Sequence, residues 1–243
     1  ARAHADQVVV TVFVNPLQFG PGEDLERYPR TLDADLRLLA SAGADVVFAP
    51  AVDEVYQGEP VVRVSAGALG ERLEGAHRPG HFDGVLTVVL KLMHLVRPDV
   101  AVFGQKDAQQ LAAVRAMVHD LDVGVEVLAV PTVRDTDGVA LSSRNAYLDA
   151  GERVRARALV EAIRAATAAA EAGLPASAVL AAATGVTASA DVEVDYVSLV
   201  DPTTVLAVAA DHSGPALLVL AAHVGATRLI DNAVLHVTGE ETR

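Results

Sequence analysis

Three short runs carry residue types suited to phosphate and small-acid chemistry. In Phe103-Gly104-Gln105-Lys106-Asp107-Ala108-Gln109-Gln110, a glycine at a strand end lets a ligand approach the backbone. Lys106 follows at the start of a helix, where the N-terminal amides attract anions. The helix dipole alone disfavours a cation there, so a phosphate between lysine and helix resolves the conflict. Asp107 and Gln110, three residues apart, also fit a capping box, which would make both structural. Ser142-Ser143-Arg144-Asn145 offers two hydroxyls and a guanidinium, a good phosphate set, with helix capping or a surface turn as the competing reading. Asn15-Pro16-Leu17-Gln18 places two carboxamides where they can bind a small polar ligand; a turn begun at Asn15-Pro16, with Gln18 facing water, is the plainer alternative.

The elements that must position these runs alternate along the first half. Val8–Val14 is a continuous apolar and β-branched run, the pattern of a strand buried on both faces. A helix follows over 32–42, ended by Gly43, then a strand over 45–50 and a short strand over 61–64. A helix over 82–96, a strand over 99–104, a helix over 108–121 and a strand over 123–130 complete the alternation. Strands alternating with helices predict an α/β, Rossmann-like doubly wound parallel sheet, which binds ligands beyond its strand ends. After Pro131 the pattern changes: Asp135-Thr136-Asp137-Gly138 reads as a hairpin turn, followed by alanine-rich helices over 150–172 and 176–183. Strands over 192–200, 216–222 and 227–237 then close the chain. The prediction is two domains, 1–132 Rossmann-like and 133–243 a smaller α+β domain.

Composition excludes several function classes. The 243 residues carry 19 basic and 32 acidic side chains, a formal charge of −13, which argues against a general nucleic-acid surface. No cysteine is present, so disulfides and thiolate metal sites are excluded. The longest apolar stretch, 84–96, is interrupted by Lys91 and His94 and falls short of a membrane span. Only Lys91 and Lys106 are lysines, while Arg78, Arg134 and Arg144 join Lys106 in or near the motif loops, so an acidic chain can still present a cationic cleft. His77 and His81 are four apart, but Pro79 and Gly80 break the helix that a zinc pair needs. Asp135–Gly138 lacks the later ligands of a calcium loop. No metal-ligating residue is therefore assigned. There is no Gly-x-Gly-x-x-Gly and no P-loop.

In this order the motifs resemble those of the pantothenate synthetase (pantoate–β-alanine ligase) family. The similarity runs from FVNPLQFG through YPRT, GVLTVVLKL, FGQKDAQQL and VPTVRDTDGVALSSRNAYL to TRLIDN at 227–232. It implies a cytoplasmic, adenylate-forming ligase of pantothenate biosynthesis, usually a homodimer, with a nucleotidyltransferase-like fold. It also implies D-pantoate, β-alanine and ATP as substrates, Mg²⁺ as cofactor, and no nucleic-acid or membrane partner. Carried over, it assigns pantoate to Gln18 and Gln110, with Asn15 and Tyr28 nearby. It assigns ATP to Gly104, Lys106, Asp107, Val133, Leu141, Ser142, Ser143 and Arg144, with Lys106, Ser142, Ser143 and Arg144 as the catalytic group. Glu74 and Arg78 align with positions lining the entrance.

Two departures stand out. Ala108 occupies a position often aromatic in the family. The family also opens with a strand and a His-x-Gly-His type motif that binds ATP phosphates, and no such motif occurs in this sequence. The expectation is a chain without that first β–α unit, with the strand at Val8 left as an edge. Two other readings stay open: a catalytically impaired homologue acting only as a binding or dimerising module, and an adenylate- or nucleotidyl-transferring enzyme for a different acid.

Overall fold

Regular structure begins where the β-branched run does, although less of it forms strand than its length predicts. The computed structural model describes residues 1–239; residues 240–243, the end of the expected second domain, lie outside the described residues. The chain forms two units, one of residues 1–103 and 113–130, the other of 104–112 and 131 onward.

The first unit contains β1 (Val9–Thr11), α1 (Leu32–Ser41), β2 (Val46–Phe48), α2 (Val52–Val55), α3 (Glu74–His77), α4 (His81–Val96) and β3 (Val100–Gly104). After Phe103 the chain passes into the second unit, and the first resumes at residue 113 within α5 (Ala108–Asp120) and runs to β4 (Glu126–Val130). The alternation of strand and helix is as the sequence predicts. β1 and β2 pair in parallel, with Val9 opposite Val46 and Thr11 opposite Phe48. β3 pairs with β4, so the sheet consists of two two-stranded pieces. The strand predicted over 8–14 is trimmed to three residues, and of that run only Val8 is buried, contrary to the expectation of burial on both faces. Among the described residues β1 has a ladder partner only in β2; a β-branched run becomes strand only where a neighbour accepts its backbone bonds.

Helix α4 organises this unit because it is apolar around most of its circumference. Phe82, Leu86 and Met93 pack with Ala113, Val114 and Met117 of α5. Val88, on another face, packs with Val55 and Tyr56. The short strand predicted at 61–64 is absent. Val61 and Val62 are exposed, and the next donors bond to α4 side chains instead: Val64 N to Thr87 Oγ1 at 3.0 Å and Ala66 N to Asp83 Oδ1 at 2.7 Å. A segment whose amides are met by a helix needs no strand partner.

The second unit contains α6 (Ala150–Glu171), α7 (Ala176–Ser189), β5 (Glu193–Val200), β6 (Gly214–Val224) and β7 (Thr227–Val237). Asp149 and Glu152 cap α6 reciprocally, which fixes its start. α7 runs six residues past the predicted end, through Gly185, since surrounding alanines offset the roughly 1 kcal/mol cost of one glycine. β5, β6 and β7 form an antiparallel sheet. Gly225, at φ 59°, takes the first loop position between Val224 and Thr227, as a two-residue type II′ hairpin requires. The core joins Leu159, Ile163 and Ala166 of α6, Val179 of α7, and Leu218, Leu220, Leu229 and Leu235 of the sheet. Small alanines on α6 let the helix lie close to the sheet.

Candidate active site

The candidate residues of each unit have their own local scaffold. In the first unit, Pro16–Gln18 forms one turn of 3-10 helix capped by Asn15, whose Oδ1 accepts from Leu17 N. The turn reading of Asn15-Pro16 is thus correct, but Asn15 does more. It is buried, and its Oδ1 also accepts from the Tyr56 hydroxyl at 2.9 Å. Its Nδ2 donates to Gly84 O at 3.0 Å and to Gln18 Oε1 at 3.1 Å. Two bonds donated and two accepted fix the orientation of the Asn15 amide. With Gln18 Oε1 taken by Asn15, the NH₂ end of Gln18 is the donor left to meet a ligand. Tyr28 packs edge-on against Phe19 on the same loop, with centroids 5.6 Å apart.

A second polar group ties that loop to the start of α4. Arg78 makes a bidentate pair with Glu23 and also donates to Gln18 O at 3.2 Å. Burial alone would raise the Glu23 pKa, but the Arg78 hydrogen bonds and charge, with smaller help from His81, bring it below the ordinary value. His81 Nδ1 lies 2.8 Å from Gln18 O, and its Nε2 lies 3.1 Å from Arg78 Nη1. Arginine only donates, so Nε2 accepts and the proton sits on Nδ1, bonded to Gln18 O. Glu74, adjacent in α3, is buried. His81 reads in the sequence only as a failed zinc ligand, and Tyr56 carries no signal at all; the bonds that matter, His81 to Gln18 O and Tyr56 to Asn15, join positions 63 and 41 residues apart.

This arrangement has a pH consequence. Burial, followed by the charge of Arg78, depresses the His81 pKa below its ordinary 6.5. A lowered folded-state pKa means that the native chain binds fewer protons than the unfolded one. The stability it contributes is complete above the unfolded pKa of about 6.5 and is lost as pH falls through the lowered value. We expect Tm to drop as pH is lowered from about 7.5 to about 5, and to drop less in His81→Gln, which does not titrate there. Equal slopes for both proteins would refute this.

In the second unit, the Gly104–Asp107 loop precedes α5. Gly104 is exposed, and a Cβ added there would meet nothing within 4 Å. Lys106 is largely covered, its side chain 19% exposed and its Nζ 4.0 Å from Asp107 Oδ1. Gln110 lies one turn into α5, half-buried. Ser142 Oγ caps the 3-10 turn Ser143–Tyr147 by accepting from Arg144 N at 3.3 Å. That is the capping role weighed from sequence, and it leaves the Ser142 O–H as a donor. Val133 and Leu141 face each other across the hairpin base, Leu141 N donating to Val133 O, with both side chains exposed. Arg153 closes the hairpin through Asp137 and Asp135; its hydrogen bonds to Asp137 pull that carboxyl down to about 2.

One small cavity, about 10 Å³, is lined by Lys106, Ser142, Asn145 and Asp231 among others. The structure therefore brings Lys106 and the Ser142 segment together. Arg134 reaches Asp231 with two bonds, at 2.6 and 2.9 Å. Asn232 Nδ2 donates to Gln105 O at 3.0 Å and Lys106 O at 2.7 Å. TRLIDN was visible as a motif, but nothing in its residue types showed what the Asp and Asn hold. Among the described residues, no three His, Asp or Glu side chains are grouped so as to hold a metal ion.

The sequence profile of the family described as Pantoate-beta-alanine ligase matches residues 1–234. The pantothenate synthetase of Acidothermus cellulolyticus is 58% identical over 235 residues, covering 96% of this chain and 78% of that protein. That of Streptomyces coelicolor is 53% identical over 278 residues, covering 96% and 82%. Among solved structures, the crystal structure of pantothenate synthetase from Thermus thermophilus superposes with a TM-score of 0.91 at 47% identity, covering 96% of this chain and 84% of that one. The Francisella tularensis pantoate-beta-alanine ligase, complexed with beta-gamma ATP and beta-alanine, superposes with a TM-score of 0.78 at 30% identity, covering 96% and 81%. A match over nearly all of the chain, by profile, sequence and fold together, places it within one family: the chain belongs to the pantoate–β-alanine ligases.

Proposed function

We propose that the chain condenses D-pantoate with β-alanine at the expense of ATP, through a pantoyl-adenylate. The pantoate carboxylate attacks the α-phosphorus, the bond to pyrophosphate breaks, and pyrophosphate leaves. The β-alanine amine then attacks the acyl carbon, AMP departs, and the amine loses a proton to form the amide. Neither step needs a nucleophilic side chain; the first needs two anions held in line and charge on phosphate oxygens offset.

The observation that carries the reading is the Lys106 and Ser142 pair lining one cavity, in a chain whose profile match runs over residues 1–234. In the second unit, the nucleotide is assigned to Gly104, Lys106, Asp107, Val133, Leu141, Ser142, Ser143 and Arg144. The Lys106 ammonium offsets phosphate charge, and the Ser142 O–H donates to a phosphate oxygen. Gln110 on α5 is assigned to the acid. In the first unit, the acid is assigned to Gln18 and Tyr28, with Asn15 acting through Gln18. Mg²⁺ is assigned to the nucleotide's own phosphates, as part of the substrate.

No helix among the described residues is long and apolar enough to cross a membrane; the family's usual cytoplasmic location is part of the reading, and a charge of −13 agrees with small-molecule rather than nucleic-acid partners. The exposed Val61 and Val62 offer apolar surface for a second copy in a homodimer, which sedimentation of Val61→Asp would test by dissociation. The activity test is pyrophosphate release with ATP and D-pantoate, followed by AMP release on adding β-alanine. Release with D-pantoate but not with other hydroxy acids supports the reading; no release with any acid overturns it, and release only with another acid moves the substrate.

A further inference from the structure

We propose that Asn232, in the middle of β7, is a positioning residue that holds the Gln105–Lys106 backbone and thereby aims the Lys106 ammonium. The inference rests on the reading that Lys106 serves the nucleotide.

Burial along β7 shows where Asn232 stands. Leu229, Asp231, Leu235 and Val237 are buried at alternate positions, the period of a strand with one face on a core. On the other face Arg228, Ile230, Val234 and His236 are half-buried or exposed. Asn232 belongs to that second face, yet only 5% of it is accessible. An asparagine buried there without bonds would cost about 1–3 kcal/mol, and this one meets that cost by bonding the 105–106 backbone.

Both of its amide protons are used, one on Gln105 O at 3.0 Å and one on Lys106 O at 2.7 Å. That choice fixes the amide: the flipped orientation would set Oδ1 against two carbonyl oxygens. Oδ1 itself is buried and has no hydrogen-bond partner, an expense the protein bears to keep the two donors in place. Tying two successive carbonyls restrains the backbone on both sides of the Lys106 Cα. A lysine stem is flexible, so restraint at its root is the available way to narrow where Nζ points. The two carbonyl oxygens, each partly negative, are also occupied by the Asn232 amide, which favours an anion nearby.

Asp231, the preceding residue, faces the opposite way and holds Arg134 with two bonds. It also accepts from Asn232 N at 2.8 Å through Oδ1. Adjacent residues of one strand thus anchor the Lys106 loop and the hairpin that leads to Ser142.

The chain has two lysines, which makes the effect readable directly. Reductive methylation with ¹³C-formaldehyde gives one side-chain methyl signal for Lys106 and one for Lys91, which lies in α4 above the Tyr56 ring, 5.7 Å from its centroid. In Asn232→Ser, and in the isosteric Asn232→Asp, the Lys106 signal should shift and broaden, and its response to ATP should need at least ~10-fold more nucleotide. The Lys91 signal should stay unchanged. An unchanged Lys106 signal, or equal changes at both lysines, overturns the proposal. In the unaltered chain, nuclear Overhauser contacts from the Asn232 amide protons to backbone protons of Gln105 and Lys106 must be present; their absence overturns it without any substitution.

A kinetic cycle separates this from general damage. Asn232→Ala should lower kcat for pyrophosphate release about 10–100-fold alone, yet less than about 3-fold in a Lys106→Ala background. Equal losses in both backgrounds overturn the coupling. A chain in which Lys106→Ala itself has no effect overturns the reading of Lys106, on which the Lys106 signal without nucleotide and the Overhauser contacts of Asn232 do not depend.

Discussion

Lys106→Ala is expected to lower kcat for pyrophosphate release about 10²–10³-fold, which corresponds to roughly 3–4 kcal/mol of transition-state stabilisation. The reason is local. Lys106 is the one lysine in the motif loops, it is largely covered, and it lines a cavity together with Ser142. Charge builds on phosphate oxygens as the pyrophosphate bond breaks, so the ammonium binds the transition state more tightly than ATP itself. Pantoate KM should stay within about 3-fold, because pantoate is assigned to other side chains. Lys106→Arg keeps the charge but replaces a compact, rotatable head with a planar fork, and should recover part of the rate. Initial rates at saturating and limiting pantoate give both parameters. A Lys106→Ala protein with near-normal kcat would remove Lys106 from the mechanism, and a loss confined to pantoate KM would reassign it to the acid.

What the sequence offered for this site was candidate ligand-binding side chains and not their supports. Lys106 stood out as a candidate because a cation at a helix start has little structural reason to exist, whereas the Ser142-Ser143-Arg144 run had a structural role open to it, and Ser142 does cap its turn. Asn15 was legible as a turn residue or a ligand-binding carboxamide, but not as the buried clamp it forms, since a cap needs nothing beyond two neighbours. Its bonds to Tyr56 and Gly84 join positions 41 and 69 residues away, and no local pattern encodes such a meeting. The same holds for Asn232, 126 residues from Lys106. At the level of elements, helices whose apolar face is set by local spacing, such as α4 and α6, appeared within a residue or two of their expected ends. β1 and the segment at 61–64 did not. Whether a β-branched run becomes strand depends on which partner its amides find, and Val64 and Ala66 found the side chains of α4.

Gly84→Ala should cost about 2–3 kcal/mol and raise pantoate KM at least ~10-fold, although helix propensity points the other way. Gly84 lies inside α4, where alanine in place of glycine is worth up to about 1 kcal/mol. An added Cβ, however, would stand 2.2 Å from Leu17 O, 2.5 Å from Leu17 C and 2.8 Å from Gln18 N. These are backbone atoms, and no side chain can rotate aside to admit the methyl group. The 3-10 turn over Pro16–Gln18 must lift away from α4, which strains the bond from Asn15 Nδ2 to Gly84 O. Overpacking costs about 1–3 kcal/mol and occasionally more; against backbone that cannot rotate aside it stands at or above the top of that range, which leaves the net loss after the helix gain. At about 2–4 °C per kcal/mol for a chain of this size, Tm should fall by roughly 5–10 °C. The same displacement moves Gln18, so pantoate KM should rise while ATP KM holds. The residues proposed for ATP depend on other supports, among them the Asn232 bonds to the Gln105 and Lys106 carbonyls. Gly185 provides the contrast: it is exposed in α7, and a Cβ there would meet nothing within 4 Å. Gly185→Ala should therefore keep the propensity gain and raise Tm by about 2–4 °C. Opposite signs for the two substitutions would show that close approach of the turn, and not helix propensity, sets the residue at 84. A rise in both would refute the contact between α4 and the turn that carries Gln18.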